Sequence, residues 1–153
     1  MFKKRLSITS GIIILFIMGS YYIYWLIPEK LVKHVYFESL RSPQTFSTKM
    51  QNYIIDPDGC IQLAKNIPQD LKEKVFLLPA NLKRQEVRYI YHQRLGKNLM
   101  VYYVSAMPRY EDKIKVDARI LLIRTNYKWQ VKSINIDSIS PIKPQPQPSF
   151  ISY

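Results

Sequence analysis

Apolar and polar positions along the chain pass through three regimes. From Leu6 to Ile27 no residue is charged, and "GIIILFIMGSYYIYWLI" has no polar side to present to water. That pattern predicts a helix covered by apolar surroundings all round. The second regime has helical spacing. Leu31, Val35, Tyr36 and Leu40 in "EKLVKHVYFESLRS" predict a helix that opens at Pro28 and closes at Ser42 and Pro43. "STKMQNYII" predicts a second short helix, with Met50, Tyr53 and Ile54 beneath Phe46, and "CIQLAKNI" a third that Pro68 ends. A fourth is predicted over "LKEKVFLL", with Asp70 and Glu73 at capping-box spacing, Leu71, Val75 and Leu78 on one face, and Pro79 as its stop. Helices this short persist only when packed.

From Lys83 the period changes to two. "EVRYIYHQRL" alternates Val87, Tyr89 and Tyr91 against Arg88, His92 and Arg94, and Gly96 with Lys97 gives a two-residue hairpin signal. "NLMVYYVSAM" is apolar on both faces, as a central strand requires. Pro108 and "RYEDK" form a turn. "KIKVDARILLIR" alternates Ile114, Val116, Ala118, Ile120 and Leu122 against Lys115, Asp117 and Arg119. After "TNYK" the last strand carries Trp129 and Val131 on one parity and Ile134 and Ile136 on the other. An extra residue at Lys132 or Ser133 would keep all four on one face by a β-bulge; the alternative is a strand partly buried on both faces. Short connections make the four strands an antiparallel meander. The fold class is therefore α+β: one amino-terminal transmembrane helix, then three to four short helices on a curved four-stranded antiparallel sheet.

The first 27 residues carry the location signal. The 22 uncharged residues from Leu6 to Ile27 would span about 33 Å as a helix, enough for a hydrocarbon core. Lys3, Lys4 and Arg5 precede them, which puts the amino terminus in the cytoplasm. Tyr21, Tyr22, Tyr24 and Trp25 crowd the far end, where amphipathic rings suit the head-group layer. A cleaved signal peptide is the rival, but apolar residues continue past the candidate site after Ser20. The expected organisation is a cytoplasmic stub at 1–5, an anchor at 6–27, an extracytoplasmic domain at 29–139 and a proline-rich tail at 140–153, in the inner or cytoplasmic membrane.

Charge then narrows the partners. The formal charge is +12, from 23 Lys and Arg against 11 Asp and Glu, which favours anionic neighbours. Lys30, Lys33 and Arg41 lie nearest the bilayer and would rest on anionic lipid head groups. Lys83, Arg84, Arg88, Arg94 and Lys97 could form a stripe, but a solvated strand face accounts for them as well as nucleic acid does.

Helices followed by a bent sheet whose last strand reads "YKWQVKSINI" resemble the nuclear-transport-factor-2-like cone fold over about Glu29 to Ile139. A cystatin-like roll is the alternative. With one amino-terminal span added, the layout is similar to inner-membrane scaffold subunits of type IV secretion and conjugation machines. That resemblance implies protein-protein contact with other membrane-complex subunits, and self-association. Other members of the same fold are enzymes, such as ketosteroid isomerase, in which an acid and tyrosines meet inside the cone.

Asp117, Tyr89, Tyr91, Tyr103 and His92 are the residues that could serve that chemistry. Asp117 shares parity with Lys115 and Arg119, so an exposed cross-strand charge pair is the simpler role, and no catalytic residue is assigned. Tyr89, Tyr91, Tyr103 and Trp129 would line a ligand pocket, if the 12 tyrosines do more than pack across strands. "DPDG" opens like a calcium loop but continues with Cys60 and Ile61, so it is a turn. His34 has no metal partner one turn on, Cys60 is the only cysteine and reads as a buried inert thiol, and no metal or cofactor is implied. Phe150, Ile151 and Tyr153 end the tail and would either dock a partner or stay untethered. Two readings remain: a non-enzymatic membrane-anchored scaffold, and a tethered ligand-binding or isomerase-like or hydrolase-like domain.

Overall fold

The computed structural model describes residues 2–76, 87–107 and 114–141, with side chains from Thr9 onward except those of Tyr24, Trp25 and Phe76. Helix α1 (Phe2–Tyr21) runs through a π-turn (Tyr22–Leu26) into α2 (Ile27–Arg41) without a break. A 3₁₀ turn (Pro43–Thr45) and the short α3 (Phe46–Met50) follow, then β1 (Ile61–Leu63) and α4 (Gln69–Phe76). Strands β2 (Val87–Gly96), β3 (Leu99–Ala106), β4 (Ile114–Thr125) and β5 (Lys128–Pro141) complete the described chain. The fold is α+β.

The sheet departs from the expected four-stranded antiparallel meander. It has five strands in the order β1-β5-β4-β3-β2, and β1 lies parallel to β5. The segment "CIQLAKNI" is thus a strand and not a helix. Eight residues make a marginal helix, whereas the outer edge of β5 offers unpaired amides and carbonyls to whatever runs beside it. Ile134 N–H donates to the Cys60 carbonyl at 2.7 Å, and Ala64 N–H to that of Ile136 at 3.0 Å. The same edge shortens the second expected helix: α3 stops at Met50, and Tyr53 and Ile55 bracket Val131 with bonds of 2.8 and 3.0 Å. The capping-box expectation also changes, because α4 already begins at Gln69 and Asp70 lies within its first turn.

The parity switch in β5 is a bulge. Leu121 faces Ser133 and Leu122 faces Val131, so Lys132 is the extra residue. Trp129, Val131, Ile134 and Ile136 all point to the buried side, while Lys132 is exposed. The edge follows the insertion: "DPDG" loops out between the pairing at Val131 and its resumption at Ile134. A second shift, where Asp117 faces Ser138 and Ala118 faces Ile136, makes Asp137 extra and brings Ile139 inward. Each insertion bends and twists the strand.

Helix α2 covers that buried face. Val35, Tyr36 and Leu40 are fully buried, in one core cluster with Ile114, Val116, Ile120 and Leu122 of β4 and Met100 and Val104 of β3. Burying Val35 and Leu40 contributes about 1.5–3 kcal/mol each. The Tyr36 hydroxyl crosses the core and donates to the Val116 carbonyl at 2.8 Å.

Helix α1 is different. Every residue from Thr9 to Gly19 is exposed, among them Leu15 at 70% and Phe16 at 76%. Lys3, Lys4 and Arg5 fall within it, and the uncharged run is divided between α1, the π-turn and Ile27. Among the described residues no single helix is long and apolar enough to cross a membrane.

Deleting Lys132 would turn Trp129 and Val131 away from the core relative to Ile134 and Ile136. The expected loss is more than about 4 kcal/mol, against about 0.5 kcal/mol or less for Lys132→Ala. Tyr36→Phe should cost about 1–3 kcal/mol by removing a buried donor. Thermal unfolding followed by circular dichroism checks all three.

Candidate functional site

Pro28 shapes the junction between α1 and α2. It has no amide hydrogen, and its ring disfavours a regular turn before it. The Ile27 N–H reaches back five residues to the Tyr22 carbonyl, so it does not serve Ile23. The next amide in that pattern would be that of Pro28, which has none. The Ile23 carbonyl is therefore left over, and the Trp129 indole N–H donates to it at 3.1 Å. An aromatic from the far end of the sequence thus closes the gap that a proline opens in the helix.

Around this bond lies a groove of about 640 Å³. Ile23, Ile27 and Leu31 line its helix side, with Lys30 and His34. The hairpin between β4 and β5 supplies Arg124, Asn126, Tyr127, Lys128 and Trp129, and Tyr53 closes the remaining side. His34 meets Tyr53 edge-on at 5.7 Å, so its role here is packing. Asn126 and Tyr127 adopt φ of 49° and 63°, the paired left-handed conformation of a type I′ turn. Tyr127 is 90% exposed at the tip. The Arg124 guanidinium sits 5.7 Å from the Tyr127 ring and 6.0 Å from that of Trp129. Lys128 Nζ donates to the Asn52 carbonyl at 2.9 Å.

The four residues expected to share a pocket, Tyr89, Tyr91, Tyr103 and Trp129, do not come together. Tyr89 faces Val104 but Tyr91 faces Tyr103, so Ile90 is an extra residue and the faces of β2 exchange. Tyr91 and Tyr103 stack at 4.1 Å on the outer face, beside Arg119. Tyr89 stays on the helix side, and His92 joins it there, opposite to Arg88 but still on one side with Arg94, which is exposed at the strand's end. The His92 ring stacks on Tyr102 at 5.1 Å, and its Nδ1 is hydrogen-bonded to the Tyr89 hydroxyl. The fully covered Tyr102 hydroxyl has no hydrogen-bond partner among the described residues, and burial raises its pKa well above the ordinary value, helped by the Tyr89 and Glu29 charges. Nothing in the alternation of β2 marks Ile90 as an insertion, which is why this cluster was not legible.

The acidic candidate is tied down. Asp117 accepts from Lys115 Nζ at 2.9 Å and from the Ser138 hydroxyl at 3.1 Å, a pair along its own strand. The cross-strand pair is Arg119 with Asp137, three bonds between 2.7 and 2.9 Å. Of the cations expected on lipid, Lys33 pairs with Glu29 at 2.6 Å and Arg41 lies 3.9 Å from Glu38, leaving Lys30 on the groove. Lys83 and Arg84 lie outside the described residues, as do Phe150, Ile151 and Tyr153; the side chains of Lys3, Lys4, Arg5 and Trp25 are likewise not described. Among the described residues no cluster of His, Cys, Asp and Glu could hold a metal ion.

Cys60 is completely covered, and its thiol is pushed up to about 11 by burial, with a smaller contribution from Asp56. Tyr36 is raised for the same reason, then by Asp117 and Asp137. Both groups stay neutral in the folded chain and ionise in the unfolded chain from their ordinary values of 9.0 and 10.0. The contribution of Cys60 is therefore fully present below pH 9.0 and is lost as pH rises through about 11, and that of Tyr36 is fully present below pH 10.0 and is lost above it. A melting temperature that falls across this window, and a Cys60 that reacts with a thiol reagent only after denaturation, are the expected results. Trp129→Phe should cost about 1–3 kcal/mol by leaving the Ile23 carbonyl unpaired, and Trp129→Ala about 3–5 kcal/mol, both read by thermal unfolding.

Compared with family models, curated proteins and solved structures, the chain matches none.

Proposed function

We propose that the chain is a single-span, membrane-anchored assembly subunit whose α+β domain lies outside the cytoplasm and acts by protein-protein contact. The observation that carries this reading is α1: a helix with Ile12 through Met18 exposed on every side needs an apolar environment around it. On this reading the bilayer receives the whole uncharged run, which continues from α1 through the π-turn to Ile27 as one helical rod. Lys3, Lys4 and Arg5 stay on the cytoplasmic side. The domain would be a nuclear-transport-factor-2-like cone, with α2 on one face of a sheet that ends in a bulged strand.

The outer face of the sheet suits contact better than catalysis. It carries the Tyr91 and Tyr103 stack beside half-buried Val101, Leu121 and Ile123, and the charge next to that stack, Arg119, is paired with Asp137. Aromatics with few uncompensated charges are the composition of interface cores. Other membrane-complex subunits or a second copy would take this face, and a secretion or conjugation machine is the kind of assembly that the layout fits.

A second reading, a tethered ligand-binding domain, draws on the covered Tyr102 hydroxyl and the Tyr89 and His92 pair next to Glu29 and Lys33. The two readings separate in one experiment. The full chain is expected to resist alkaline extraction from membranes and to migrate in mild detergent as a complex. Tyr91→Asp combined with Leu121→Asp should reduce it to a monomer with an unchanged melting temperature. A wild-type chain that is monomeric in detergent would overturn the scaffold reading; extraction at high pH would overturn the anchor.

A further inference from the structure

The strand register gathers both hairpin tips of the sheet at one end. Leu99 faces Ile123, the Arg124 amide donates to the Asn98 carbonyl at 2.9 Å, and Thr125 faces Lys128. Trp129 ties that same end to Ile23. The opposite end holds Lys115 beside Ser140, about 33 Å away along β4 from Thr125 to Lys115. Arg94 and Lys97 on the first hairpin, Arg124 and Lys128 on the second, and Lys30 on α2 therefore share the end at which the chain leaves α1. Leu95 is 51% exposed there and Tyr127 is 90% exposed.

The groove at this end combines two chemistries in a fixed order. Its floor of Ile23, Ile27 and Leu31 continues the exposed apolar surface of α1. Its rim carries Lys30, Arg124 and Lys128, and none of the described residues lining it is acidic. Tyr127 is held at a φ of 63°, a region that a bulky side chain rarely adopts, with its ring in solvent. Amphipathic aromatics beside basic residues, one step beyond an apolar run, match the head-group layer of a bilayer. Nucleic acid would use the cations but leave the apolar floor unsatisfied.

We propose that this groove seats one anionic phospholipid from the bilayer that α1 enters. Its phosphate lies among Lys30, Arg124 and Lys128, an acyl chain lies against Ile23, Ile27 and Leu31, and Tyr127 rests in the head-group layer. The site rests on the membrane anchoring proposed above, and it fixes the angle at which the domain stands on the membrane.

The test titrates phosphatidylglycerol and phosphatidylcholine against the detergent-solubilised full chain by native mass spectrometry, with flotation on phosphatidylcholine vesicles run in parallel. The wild type should retain one phosphatidylglycerol. Neutralising each cation should weaken its preference over phosphatidylcholine about fivefold, and the triple variant Lys30→Gln, Arg124→Gln, Lys128→Gln about a hundredfold. Lys115→Gln, at the far end, should leave that preference intact. Lys30→Gln alone, on an exposed side chain, should show its fivefold share with an unchanged melting temperature, so misfolding of the triple variant does not decide the outcome. Equal retention by wild type and Lys30→Gln, or recovery of a polypeptide in place of the lipid, would overturn the site. A chain that floats but lacks the preference defeats this inference alone, whereas a chain that does not float defeats the anchor.

Discussion

A proline at position 28 sets the constraint that the rest of the arrangement answers. It has no amide to donate, and where the helix widens into a π-turn and the Ile27 amide reaches Tyr22, the Ile23 carbonyl is left without a backbone donor. A left-over carbonyl beside an apolar groove is expensive unless something donates to it. The indole of Trp129 does so across 106 residues of sequence. Helix and sheet are joined at that point by a directional bond as well as by apolar packing, so the orientation of the domain relative to α1 is specified and not merely permitted.

Strand β5 makes that bond reachable. It pairs with β4 on one side and β1 on the other, and its two inserted residues keep Trp129, Val131, Ile134, Ile136 and Ile139 on the helix side while the strand bends. With a regular alternation, Trp129 and Ile134 would lie on opposite faces. The same geometry gathers both hairpin tips, with their basic residues, at the end next to Ile23. The groove, the exposed Tyr127 and the cations around them thus follow from the register of β3, β4 and β5 together.

Electrostatics divides the surface accordingly. Away from this end, the sheet carries two ion pairs, Lys115 with Asp117 and Arg119 with Asp137. Near α1, Lys30, Arg124 and Lys128 line the groove, and none of its described lining residues is acidic. The buried titratable groups Cys60, Tyr36 and Tyr102 are all held neutral by their surroundings. Such groups support packing rather than proton transfer near neutral pH.

Much of this was legible in the residues themselves. The apolar run from Leu6 to Ile27, α2 and its buried stripe, the inward row of β4 and the bulge at Lys132 all follow from periodicity, because each is written in consecutive side chains. "CIQLAKNI" and the end of "STKMQNYII" were not legible, since the free edge of β5 decides them and short segments take the state that their neighbours reward. The tyrosines scattered for a related reason: one insertion at Ile90 exchanged the faces of β2, and local alternation carries no mark of it. By itself, then, the sequence determined which residues had to leave water and roughly where each element begins. Only the tertiary structure decided which edge, carbonyl and groove they would find, because those partners lie far away along the chain and become neighbours only through register.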